Sequence, residues 1–68
     1  MRVVVNGEER ELTEGATVAD LVSQSADGQS RRGIAVAVDA EVVPRSAWER
    51  TALSEGQKVE LLSAIQGG

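Results

Sequence analysis

The chain has no cysteine and no histidine, and it has one tryptophan and one proline among its 68 residues. Without cysteine no disulfide can form, and without either residue a structural zinc site lacks its usual ligands. The common nucleophile–base pairs of enzymes also need one of these side chains, which argues against independent catalysis. We therefore predict that the chain is not an enzyme, and that it works by binding or through covalent chemistry on its own backbone.

Strong positive charge and long apolar runs are also lacking. The net charge is −4, which disfavours nucleic acid as a partner because its binding depends on Lys and Arg neutralising phosphates. No apolar run approaches the ~20 residues of a membrane span, and the first residues do not resemble a secretory signal. We expect a cytoplasmic protein that is a monomer on its own.

Aliphatic residues are sufficient for a core, since Leu, Ile and Val make up 17 of the 68 residues. That fraction lies above the ~20% below which disorder is typical. The sequence contains no repeat and no linker-like segment. We therefore predict one domain over residues 1–68, with residues 65–68 as a mobile functional tail.

The first half of the sequence predicts a hairpin followed by a helix. Val3–Val5 is β-rich, and Asn6-Gly7 favours the positive φ angles of a two-residue hairpin turn, with Arg10 to Leu12 as the returning strand. Thr17 is a suitable N-cap residue with an acidic residue three positions later. Thr17 to about Ser25 therefore forms a helix whose apolar residues share one face.

The second half predicts three more strands. Two alternating apolar runs flank Asp39-Ala40, and Pro44 ends the second run because it lacks a backbone donor. An irregular stretch follows, Gly56 marks a turn, and Lys58–Ala64 forms the last strand.

This order of elements predicts a two-layer α+β fold, because one helix can bury its apolar stripe only against one face of a mixed sheet. First and last strands are central parallel neighbours in the β-grasp topology. In that arrangement Val4 and Leu62 point away from the helix. Four alternate residues face it: Val3, Val5, Val59 and Leu61.

Three motifs make the chain resemble the ThiS family of sulfur carrier proteins. They are VPRSAW from Val43 to Trp48, the L-x-x-G-x-x-V-E spacing from Leu53 to Glu60, and the Gly67-Gly68 pair. The resemblance covers the whole chain. It implies a ubiquitin-like β-grasp domain, with a mixed sheet of four to five strands on one main helix and a flexible C-terminal tail. Two turns depart from the family pattern: Gln57 stands where Asp is frequent, and Asp39-Ala40 where Gly or Asn is common.

The resemblance also implies a reaction cycle at the carboxylate of Gly68. A ThiF-like adenylyltransferase would activate it with ATP, so that the nucleotide is used by the partner and the carrier itself binds no cofactor. Sulfur from a cysteine desulfurase route would then give a thiocarboxylate. Thiazole synthase (ThiG) would accept that sulfur for the thiazole ring of thiamin.

Residues near the tail are the candidate partner contacts. The tail would thread into narrow partner sites. Gly67, like Gly68, lacks a Cβ that would obstruct entry, and Ile65 and Gln66 belong to the tail as contacts in a partner's groove. Leu62 and Val4 form an apolar docking patch for the activating enzyme if both face outward. The alternative is that a twist or bulge buries Leu62.

Two further residues have a structural and a functional interpretation. Trp48 is either a buried anchor or a partner contact, and its size favours burial. Arg45 is either a plain exposed cation or a contact for an acidic partner, although surface ion pairs contribute only ~0–1 kcal/mol.

Two alternative functions remain from the sequence. A MoaD-like carrier would use the same thiocarboxylate for molybdopterin synthesis, although the short chain and VPRSAW favour the thiamin member. A β-grasp interaction or modifier module would have no sulfur chemistry, and conjugation would leave lysine isopeptides ending in Gly68.

Overall fold

The computed structural model describes residues 1–25 and 33–63. Five strands form one sheet, and one α-helix packs on it. The elements are β1 (Arg2–Val5), β2 (Glu8–Glu11), α1 (Val18–Ser25), β3 (Ile34–Val38), β4 (Glu41–Val43), a 3₁₀ helix (Arg45–Arg50) and β5 (Lys58–Ser63).

The strand order in the sheet is β2-β1-β5-β3-β4. β5 lies at the centre, parallel to β1 and antiparallel to β3. The two hairpins, β1–β2 and β3–β4, are antiparallel and form the two sides of the sheet. The predicted α+β, ubiquitin-like β-grasp fold is confirmed, with a sheet of five strands.

The core lies between α1 and the inner face of the sheet. Six side chains are fully buried there, three from the helix and three from the strands: Val18, Leu21, Val22, Val3, Val36 and Val59. Burying an aliphatic side chain of this size contributes about 1.5–3 kcal/mol. The core therefore supplies the stability that disulfides and metals supply in other small domains.

The helix begins with the capping box that the sequence predicts. The backbone N–H of Thr17 donates to Asp20 Oδ2 over 3.0 Å, and the N–H of Asp20 donates to Thr17 Oγ1 over 3.2 Å. Each side chain thus satisfies a backbone donor that the first helical turn leaves free.

Two predicted segments differ from the structure. β2 begins at Glu8 rather than Arg10, because the tight turn lets pairing start at once with Val5 opposite Glu8. The stretch after Pro44 is a 3₁₀ helix rather than irregular. Its short tight turns are built around one buried side chain, Trp48, which the period of an α-helix does not reveal.

Some predicted segments lie outside the described residues: the polar loop at 26–32, position 64 of the last predicted strand, and the tail at 65–68. Within residues 1–25 and 33–63, no helix has both the length and the apolar character that crossing a membrane requires.

Candidate functional site

The predicted docking residues Leu62 and Val4 lie on the face of the sheet that points away from α1. Leu62 is 62% exposed, so its side chain faces outward and is not buried by a twist or bulge. Pairing between β5 and β3 runs without interruption from Val59 to Ser63, which keeps the side chains in strict alternation. Leu62 and partly buried Val4 line the same open groove, together with Asn6, Gly7, Lys58 and Glu60.

Small residues on β3 leave this face open. Ala35 lies opposite Leu62, and Ala37 lies between Glu60 on β5 and Val42 on β4. A methyl group cannot cover a neighbouring leucine, and Val42 is itself 73% exposed. The outer face therefore presents two large apolar side chains, Leu62 and Val42, over a floor of alanines.

The β1–β2 side of the same face is charged. The Arg2 guanidinium lies 3.7 Å from a carboxylate oxygen of Glu9 and 3.6 Å from one of Glu11. These side chains are largely exposed, so each pair contributes little to stability. They give the apolar groove a polar rim, which is the usual surrounding of a protein interface.

The end of β5 is held by the side chain of Asn6. Leu61 N–H donates to Asn6 Oδ1 over 2.9 Å, and Asn6 Nδ2 donates to the carbonyl oxygen of Leu61 over 3.2 Å. Asn6 has a φ of 50° and Gly7 one of 85°, as the predicted two-residue turn requires.

The beginning of β5 is held by the other hairpin turn. Lys58 N–H donates to Asp39 Oδ1 over 3.0 Å, and Asp39 N–H donates to the carbonyl oxygen of Lys58 over 2.7 Å. Asp39 has a φ of 51°, and Ala40 follows with a φ of 70°. The side chains of two hairpin turns thus fix the two ends of the strand that leads to the predicted reactive residue.

Arg45 lines a different groove from the Leu62–Val4 pair. It lies in the 3₁₀ helix, 6.0 Å above the ring of Trp48, and shares its groove with Ala19, Ser46 and Glu49. Trp48 is buried, and its Nε1 donates to the carbonyl oxygen of Val43 over 2.9 Å. The buried-anchor interpretation of Trp48 is therefore confirmed, and the three predicted docking residues do not form one surface.

The four tail residues of the predicted site lie outside the described residues; they are Ile65, Gln66, Gly67 and Gly68. Sequence reasoning also missed three features of the outer face: the side-chain role of Asn6, the groove residues Lys58 and Glu60, and the exposure of Val42. The strand alternation of β5 was a signal for Lys58 and Glu60. Nothing local signalled the role of Asn6, because its partner Leu61 is 55 residues away in sequence.

Comparison with known proteins agrees with this fold. The chain is 37% identical over 68 residues to a thiazole synthase of Paramagnetospirillum magneticum; the match covers all of this chain and 20% of that protein. It is 29% identical to the sulfur carrier protein ThiS of Escherichia coli, over the full length of both. The crystal structure of the thiamine biosynthesis protein ThiS from Geobacter metallireducens superposes with a TM-score of 0.81, at 30% identity and with full coverage of both chains.

A model of the ThiS family matches residues 3–68. That span includes the hairpin that holds the end of β5, all of β5 and both glycines of the predicted tail. The chain therefore belongs to the ThiS family of sulfur carrier proteins.

Proposed function

We propose that this chain carries sulfur as a thiocarboxylate on Gly68 and delivers it for the thiazole ring of thiamin. One observation supports this above all others: the family match extends through Gly67 and Gly68, in a chain whose full-length relative in Escherichia coli is named a sulfur carrier. The absence of cysteine and histidine agrees with a protein that is acted on by enzymes rather than being one.

The chemistry proceeds in three steps: activation, sulfur attack and reduction. The Gly68 carboxylate attacks the α-phosphorus of ATP, bound by a ThiF-like adenylyltransferase, and pyrophosphate leaves. The acyl adenylate is now a good electrophile. The desulfurase supplies sulfur as a persulfide, whose terminal sulfur attacks the carbonyl carbon and displaces AMP to give an acyl disulfide. A thiol reductant then cleaves the S–S bond and is oxidised to a disulfide, and the thiocarboxylate is released. Glycine at both terminal positions removes the Cβ atoms that would obstruct a narrow active-site channel.

Thiazole synthase is the acceptor in this proposal. The thiazole synthase of Paramagnetospirillum magneticum includes a segment 37% identical to this entire chain. In that protein, the carrier-like segment is thus part of the same polypeptide as the rest of the synthase. This likeness supports a thiazole synthase as the protein that accepts the sulfur from this chain.

The groove of Leu62 and Val4 is the proposed docking surface for the activating enzyme. An exposed apolar side chain next to charged residues is a typical interface centre, because burial in a partner removes its apolar surface from water. Arg45, on its separate groove, is proposed as a contact for an acidic partner.

Intact-mass measurement tests the proposal. The protein is incubated with ATP, a ThiF-like enzyme, a cysteine desulfurase, cysteine and a thiol reductant. We expect a species heavier by the difference between one sulfur and one oxygen. A variant that lacks Gly68 should remain folded and unmodified. An unchanged mass in the presence of a demonstrably active adenylyltransferase would contradict the carrier function.

The acceptor is tested separately. The thiocarboxylate form is added to thiazole synthase with its other substrates, and loss of the sulfur mass is followed together with thiazole formation. If the thiocarboxylate forms but gives up its sulfur only in molybdopterin synthesis, the MoaD-like assignment would replace the thiamin one. Isopeptide products on lysine would instead indicate a protein modifier.

A further inference from the structure

On the side of β5 that faces β1, the backbone N–H and carbonyl groups of one residue are not paired by the β1 backbone. The carbonyl oxygens of Gln57 and Val59 accept hydrogen bonds from backbone N–H groups on that side, those of Val4 and Asn6, at 2.9 Å each. By the two-residue period of a strand, Leu61 is the next residue of β5 to direct its backbone there. β1, however, ends at Val5.

The side chain of Asn6 takes the place of the missing strand residue. It accepts from the N–H of Leu61 and donates to the carbonyl oxygen of Leu61, as a paired backbone would. Among the residues that tolerate a positive φ, only asparagine has both an amide donor and a carbonyl acceptor. Aspartate at position 6 would lack the donor, and glycine would lack both groups.

Asp39 provides a comparison within the same molecule. It has nearly the same φ as Asn6, 51° against 50°, and occupies the same place in its two-residue turn. Its side chain also accepts from a backbone N–H of β5, that of Lys58. The difference is the position along the strand: Lys58 is the first residue of β5, whereas Leu61 lies near its end, shortly before the predicted tail.

We propose that Asn6 is a positioning residue for the carrier reaction. By fixing the backbone of Leu61, it sets the place and direction from which the chain continues towards Gly68. We call the two hydrogen bonds between the Asn6 side chain and the backbone of Leu61 the bracket. Without it, the end of β5 keeps only its pairing with β3 and gains conformational freedom. A partner that captures the following residues must then order the strand end as well, which weakens binding. This inference rests on the proposed function.

The test compares two matched variants, Asn6→Gly and Asp39→Gly. Glycine accepts the positive φ at both positions, so that both turns are preserved and each variant loses its side-chain hydrogen bonding to the backbone of β5. Asp39→Gly also loses the hydrogen bond from Gln57, and Asn6→Gly also removes a side chain that lines the groove of Leu62 and Val4. Amide hydrogen exchange provides the structural measurement. In Asn6→Gly, the amide of Leu61 should exchange about tenfold faster, as the loss of hydrogen bonding at one residue predicts. In Asp39→Gly, the amide of Lys58 should be the one affected.

Steady-state adenylation by a ThiF-like enzyme, with the full-length carrier as the varied substrate, provides the functional measurement. Asn6→Gly should raise the KM for the carrier about fivefold at a nearly unchanged kcat, because the cost arises on binding and not in the chemical step. Asp39→Gly should leave the KM near that of the unmodified chain. A purely structural role of Asn6 would change the KM of both variants alike or of neither.

The outcomes separate this inference from the proposed function. If the unmodified chain is never adenylated, the proposed function fails, and the positioning role fails with it. If the unmodified chain is adenylated but Asn6→Gly has the KM of Asp39→Gly, only the positioning role is overturned. If the exchange of the Leu61 amide does not change in Asn6→Gly, the bracket does not hold the strand and the inference is wrong for any partner.

Discussion

The side-chain amide of Gln57 donates a hydrogen bond over 3.3 Å to a carboxylate oxygen of Asp39, a residue 18 positions away in sequence. The carbonyl oxygen of the same amide accepts from the N–H of Ser54 over 2.8 Å. These are the two turns that depart from the family pattern, and the fold brings them into contact. A neutral amide at position 57 gives Asp39 a donor, whereas the more frequent Asp would give it a second negative charge.

Gln57→Glu should therefore destabilise this chain. The substituted side chain has the same shape and can still accept from Ser54, but it turns a carboxylate oxygen towards Asp39. We expect a loss of about 1 kcal/mol in the free energy of unfolding, from one lost hydrogen bond and one exposed like-charge contact. Urea unfolding followed by the fluorescence of Trp48 measures it.

A double-mutant cycle provides the control for that effect. In an Asp39→Asn background, the same Gln57→Glu change should cost less, because the like charge is gone. The cost in the original background should also shrink in 1 M salt, where exposed charges are screened. Equal costs in both backgrounds would show that the two side chains are not coupled.

Ala40→Gly should stabilise the chain. Ala40 has a φ of 70°, a conformation that strains any residue with a Cβ. We expect a gain of about 0.5–1 kcal/mol after allowing for the greater freedom of glycine in the unfolded chain. The control is Ala37→Gly within β3, which should lose stability because its backbone is already extended. A loss of stability in both variants would contradict strain at Ala40.

Leu62→Thr should weaken binding of the activating enzyme while preserving the fold. Leu62 is 62% exposed, so its replacement by another strand-compatible residue should change the free energy of unfolding by no more than about 0.5 kcal/mol. We expect the KM for the carrier in adenylation to rise about fivefold or more, as for a contact worth roughly 1 kcal/mol or more. Val42→Thr is the matched control, since Val42 is 73% exposed on the same face but lies on an edge strand away from β5. An equal effect of both variants would point to general loss of apolar surface instead of a specific contact.

Trp48→Phe should destabilise the chain without affecting partner recognition. Phenylalanine fills less of the buried site and leaves the carbonyl oxygen of Val43 without the indole donor. We expect a loss of about 2 kcal/mol, which for a domain of this size lowers the Tm by roughly 8–16 °C in circular dichroism. Arg45→Ala removes only the exposed cation above the ring and should cost ~0.5 kcal/mol. If Arg45→Ala cost as much as Trp48→Phe, the anchoring role of the indole would be wrong.

Local signals were sufficient for most of the fold. The Asn6-Gly7 turn, the capping box at Thr17 and the stop at Pro44 each depend on contacts within a few residues, so they can be identified along the chain. The central parallel pair of β1 and β5 followed from the order of the elements. The 3₁₀ helix did not, because it contains one buried residue, Trp48, and packs against α1, which is distant in sequence.

The sequence by itself thus determined the β-grasp fold, the lack of cysteine and histidine, and the Gly67-Gly68 pair on which the proposed chemistry depends. The tertiary structure alone decided that Leu62 is exposed, that Arg45 lies on another groove, and that Asn6 holds Leu61. The physical reason is the same in each case. Exposure depends on which side chain a neighbouring strand places opposite, and the bracket at Leu61 joins residues that only sheet formation brings within hydrogen-bonding distance.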